Sequence, residues 1–162
     1  MALVTATAPD HGRDTIDELA ARVQRWIALD ELLFEILGQW VRTVREPTTK
    51  RVFATWCNRL AWHAELWRGR LPTYQGRVGA DELAARRVAE TAAWIEPVRR
   101  ALAGAGAGDT ASKVAALRDA TLPSLAAAVD EHRAAIDARL DGPTARILGL
   151  VAADLAAFRA DL

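Results

Sequence analysis

Apolar residues return at every third or fourth position along nearly the whole chain, and no stretch alternates apolar and polar residues in the manner of a strand. The pattern predicts an all-α protein. A first helix is expected to start near Asp14, where Asp14, Asp17 and Glu18 suit the positive end of its dipole, and to stop before Pro47, which disfavours helical backbone at Glu46. A second runs from about Thr48 to Arg70 and ends at LPTYQGRVG. A third covers roughly Ala80 to Ala103, kinks at Pro97 and stops at the glycines of AGAGAGD. A fourth begins near Asp109, passes Pro123 and reaches Leu140; Asp141, Gly142 and Pro143 interrupt the chain before a fifth. Short connections favour antiparallel neighbours, so the expected architecture is an up-and-down bundle.

The apolar stripes are wide enough to bury one face of each helix: Leu19, Val23, Trp26, Leu33, Leu37, Trp40 and Val44 on the first, and Val52, Trp56, Leu60 and Trp67 on the second. Three polar residues interrupt them. Asp30 stands four after Trp26 and three before Leu33, His63 three after Leu60 and four before Trp67, and His132 three after Val129 and four before Ile136.

Across an antiparallel hairpin, residues equally distant from the turn lie level. A turn centred between Glu46 and Pro47 sets Asp30 level with His63, Trp26 with Trp67 and Leu37 with Trp56. Counted from the lower ends of their expected helices, His132 lies ~12 Å up and His63 ~10 Å up, at 1.5 Å per residue. The expectation is therefore one buried layer of two histidines and an aspartate walled by tryptophan, with Glu90, Thr91 and Asp154 as possible neighbours.

A buried carboxylate or imidazolium needs a partner, and an Asp–His pair supplies one. Two readings follow. In one, Asp30, His63 and His132 are catalytic, binding a metal or moving a proton, and Trp26, Trp56 and Trp67 form the walls for a hydrophobic or aromatic substrate. In the other, the polar residues are a satisfied structural set fixing helix register and the tryptophans fill the core.

Composition narrows the partners. A chain of 162 residues with 51% hydrophobic and 26% charged residues suits one globular domain, with residues 1–12 expected to be a disordered N-terminus. Its 21 basic and 21 acidic residues balance, leaving no field to steer a polyanion, so nucleic acid is not an expected partner. The single cysteine, Cys57, excludes an internal disulfide and reads as a small buried hydrophobe. No apolar run is long enough to span a membrane and no basic start precedes an apolar segment, so a cytoplasmic protein is expected. Phosphate loops, Cys-x-x-Cys pairs and nucleophile elbows are absent from the sequence.

The stretch LAWHAELWRGRLP, together with DGPTARILGLVAAD nearer the C-terminus, resembles the ferritin-like proteins of actinobacteria. The resemblance implies an antiparallel four-helix bundle with an additional C-terminal helix. It also directs attention to the Glu-x-x-His motifs by which such bundles hold two irons. Leu60 stands where the first glutamate belongs and Val129 where the second does, so the motifs are degenerate. Asp30, His63 and His132 match instead the ligand types of a two-histidine, one-carboxylate centre for one Fe(II) or another divalent metal.

Without metal, Asp30 orients His63 as a general base. The expected function is thus a small-molecule enzyme, a metal-dependent oxidoreductase or an acid–base tailoring enzyme. The alternative is a non-catalytic ferritin-like domain for ligand binding or protein assembly, with a homodimer as one possible assembly. Ferritin-like bundles join their second and third helices by a long crossover. The roughly nine-residue link after Leu71 reaches at most ~30 Å, which favours up-and-down connectivity instead.

Overall fold

The computed structural model describes the backbone of residues 16–72 and 80–162 and the side chains of 16–72 and 88–162. The expected N-terminal disorder and the helix start near Asp14 lie outside these residues. Every regular element among them is helical: α1 Ile16–Thr43, α2 Pro47–Arg68, α3 Ala80–Gly106, α4 Thr110–Ala115, α5 Leu122–Ala135 and α6 Gly142–Asp161. None of these helices is long and apolar enough to cross a membrane.

Local chemistry sets the boundaries. Pro47 opens α2, where its missing N–H costs nothing. Asp109 caps α4 by accepting from the Ser112 N–H at 2.8 Å, and Asp141 caps α6 by accepting from the Thr144 N–H at 3.2 Å. Between α4 and α5 the helix widens into one π-helical segment, Ala116–Thr121, directly ahead of Pro123. The Thr121 hydroxyl bonds back to the Ala116 carbonyl there, at 2.9 Å. The three pieces follow without a break and act as one rod.

Side-chain contacts fix the direction of each helix. Trp26 pairs with Trp67, so α1 and α2 are antiparallel. Helix α3 lies along the other flank of α1 and parallel to it, with Trp94 beside Trp26 at one end and Leu102 and Gly106 beside Trp40 at the other. The α4–α5 rod runs back: the Lys113 ammonium donates to Thr43 Oγ1 at 3.3 Å, while His132 reaches Trp26. Helix α6 is antiparallel to α2, tied by Arg70 to Asp141, by His63 to Asp154 and by Trp56 stacked on Phe158.

The chain therefore goes up, down, up, down, up, and α2 and α3 are antiparallel as the short link requires. Contacts close the ring in the order α1, α2, α6, the α4–α5 rod and α3, which meets the rod at α4 and the π-helical segment. The C-terminal helix α6 is a full wall of the bundle. The core runs the length of that ring, with Phe53, Trp67, Leu102, Leu148 and Phe158 almost wholly excluded from solvent.

Candidate functional site

Three rings meet at the lower end of the bundle. Trp26 and Trp67 stack with centroids 5.8 Å apart and planes 13° apart. His132 joins them from α5, at 6.2 Å and 8° from Trp26 and 6.1 Å and 18° from Trp67. The Trp26–Trp67 contact is the one that hairpin geometry anticipates.

The Trp26 indole Nε1–H donates to Nδ1 of His132 at 2.8 Å. An accepting Nδ1 carries no proton, so the neutral ring must hold its proton on Nε2. That Nε2–H is buried and finds no partner among the described residues, and the same is true of the Trp67 Nε1–H. Burial, aided by the nearby charge of Arg22 and opposed by Asp141, pushes the His132 pKa down to about 4. At neutral pH His132 is an uncharged hydrogen-bond donor.

The Trp26/His132 pair lines a cleft of about 200 Å³ between α1, α3 and α5. Arg22 and Arg25 contribute from α1, Trp94 from α3 and Glu131 from α5. Helical spacing explains the grouping: Arg22 precedes Trp26 by one turn, and Glu131 adjoins His132 at the exposed edge of the α5 stripe.

His63 looks elsewhere. Its Nε2–H donates to Asp154 Oδ2 at 2.9 Å, and Arg59 holds the other oxygen of that carboxylate at 2.8 Å. His63 is 1% exposed, and burial lowers its pKa although Asp154 pulls the other way. Asp154, considered from the sequence only as a neighbour, is the real partner. It stands three after Val151 and four before Phe158, the same kind of interruption of an apolar stripe that marks Asp30 and His63.

Asp30 is also buried, 4% exposed, but its Oδ2 meets no hydrogen-bonding partner among the described residues. Burial first, and the adjacent Glu31 charge second, raise its pKa well above the ordinary carboxylate range. It borders a groove on the outer side of the α1/α2 hairpin, together with Trp62 and Ala64, which flank His63 in sequence while His63 itself turns to α6.

The expected three-residue layer of Asp30, His63 and His132 does not assemble. Among the described residues no three His, Cys, Asp or Glu side chains gather to hold a metal ion. The expected Fe(II) or divalent-metal centre needs these three side chains together, and two physical features keep them apart. Helix α5 stops at Ala135, because Ile136 turns extended and the Asp137 carboxylate captures the Arg139 N–H at 2.8 Å. His132 is thus three residues from its helix end instead of eight, more than a turn lower. Level placement in the hairpin, moreover, says nothing of direction around each axis: Asp30 on α1 borders the outer groove, whereas His63 on α2 turns to Asp154 of α6.

The three tryptophans likewise divide. Trp26 lines the cleft, Trp67 backs it, and Trp56 packs on Phe158 with centroids 3.8 Å apart, away from both. Glu90 is exposed and Thr91 buried on α3. Cys57 is half-buried, its thiol held up by burial, with its Sγ 3.7 Å from the Phe34 carbonyl.

Comparison with family models, curated proteins and solved structures returns no match.

Proposed function

We propose that this chain binds a small molecule with an apolar or aromatic body and a hydrogen-bond-accepting head, a carboxylate or carbonyl, in the cleft between α1, α3 and α5. The observation that carries this reading is the orphaned Nε2–H of His132. A buried donor without a partner costs roughly 1–3 kcal/mol, and a ligand oxygen at that nitrogen recovers it. Arg22 and Arg25 favour an anionic head, and Trp26 with the 38%-exposed Trp94 offers apolar walls. The cleft volume of about 200 Å³ suits a molecule of roughly a dozen heavy atoms.

The protonation state favours recognition over catalysis. With Nδ1 occupied by Trp26 and a pKa of about 4, His132 offers no base near neutrality. On this reading the chain is a non-catalytic helical domain kept for ligand binding. The ferritin-like kinship rests on the sequence resemblance alone, because α6 is a full wall of the bundle and α2 and α3 are antiparallel without a crossover. Leu60 and Val129, at the places of the iron-binding glutamates, are 2% and 1% exposed and serve packing.

A second reading, acid–base chemistry, is favoured only by the His63–Asp154 pair. There Asp154, and not Asp30, is the orienting carboxylate, and Nδ1 is the basic atom.

Titration calorimetry with 3-phenylpropionate, against 3-phenylpropylamine as control, tests the first reading. Saturable binding of the acid is expected, weakened roughly tenfold or more in His132→Phe. Equal affinity of wild type and variant removes it.

A further inference from the structure

The groove on the outer face of the α1/α2 hairpin, about 520 Å³, combines features that packing does not explain. Phe34 and Trp62 stand on its two sides, each 44% exposed, where a solvated helix face ordinarily carries polar residues. Leu60, Ala61 and Ala64 add apolar lining. Against this surface sits Asp30, 4% exposed, with an oxygen, Oδ2, that bonds to nothing among the described residues.

The charges around it have one sign in excess. Glu31 and Glu35 reach the groove from α1 and Glu65 from α2. The cation present, Arg68, is bound to both Glu31 and Glu65. Other charged groups near the hairpin are engaged on other flanks: Arg99 of α3 lies beyond Leu32 and Gln39, and Asp154 of α6 is held by His63 and Arg59. A second copy of the chain docked here about a two-fold axis brings like-charged rims together, which disfavours a homodimer through this face.

We propose that this groove binds a primary ammonium carried on an apolar or aromatic body, with the ammonium against Asp30 and the body between Phe34 and Trp62. The carboxylate supplies a charge-assisted hydrogen bond, the rings supply cation–π attraction and apolar cover, and the glutamate rim raises the local cation concentration. Burial and the Glu31 charge both favour the protonated carboxyl of Asp30, and an ammonium beside it favours the carboxylate. Where the carboxyl is protonated, the ammonium enters as that proton leaves to solvent, with up to one proton released per ligand bound. Apparent affinity rises with pH, up to tenfold per unit, until Asp30 is ionised in the free protein.

The test uses the full chain and benzylamine, with benzyl alcohol as the uncharged control. Calorimetry in two buffers of different ionisation enthalpy counts the protons. Saturable benzylamine binding, proton release and roughly tenfold or greater weakening in Asp30→Asn are expected, with a smaller loss in Trp62→Ala. Asp30→Asn keeps the side-chain volume, and circular dichroism establishes that both variants fold. Three outcomes overturn the proposal: benzyl alcohol binding as tightly as benzylamine, unchanged affinity in Asp30→Asn, or no saturation by about 10 mM ligand. Sedimentation showing a dimer whose formation excludes benzylamine also overturns it, since the groove then belongs to a second copy.

Discussion

Trp26 holds His132 in a single tautomer: its indole N–H, 106 residues away in sequence, donates to Nδ1 and leaves the ring proton on Nε2. Nitrogen-15 NMR of labelled histidine should find one ring in the Nε2–H form at neutral pH, staying neutral down to about pH 4. A ring that becomes doubly protonated near pH 6.5 contradicts the assignment.

Removing the donor should release the ring. In Trp26→Phe the aromatic contact largely survives, but Nδ1 loses its hydrogen bond, and urea unfolding should show a loss of about 1–3 kcal/mol. The Nε2–H form should also lose its exclusive hold in the NMR spectrum.

His132 gives stability a pH slope. Its folded pKa, about 4, lies below the unfolded value, so the unfolded chain binds the extra proton between the two. The contribution is fully present above pH ~6.5 and declines as pH falls toward 4, by about 2–3 kcal/mol once screening by water in the cleft is allowed for. Unfolding of wild type and His132→Phe at several pH values checks it; the variant should lack this part of the slope.

Asp30 works in the opposite sense. Its folded pKa is raised, so its favourable contribution is present below the unfolded carboxylate range and is lost as pH rises through the folded value. Asp30→Asn should therefore be more stable than wild type at pH 8, by about 1 kcal/mol or more, with the difference vanishing near pH 3–4. Urea midpoints compared at constant m-value measure it.

His63→Ala should cost about 2–4 kcal/mol, because it opens a cavity in a site 1% exposed and removes a partner of Asp154. Asp154 is partly exposed and keeps Arg59, so Asp154→Asn should cost less. A reversed order in urea unfolding overturns this account of the pair.

The 3.6-residue recurrence of apolar positions was enough to establish helices, their faces and the hairpin heights that bring Trp26 onto Trp67, because these depend on spacing within one helix or across one short turn. It also marked Asp30, His63 and His132 as buried, since each breaks an apolar stripe. Which group each of them meets was not legible there. The end of α5 was decided by competition between helical hydrogen bonds and the Asp137 side chain, a balance of a few kcal/mol that periodicity does not report, and it moved His132 to the Trp26 level. Direction around a helix axis was decided by the neighbours that close the ring. Helix α6 delivers Asp154 to His63, the rod ending in α5 delivers His132 to Trp26, and neither brings a partner to Asp30 Oδ2, leaving that carboxyl beside the outer groove.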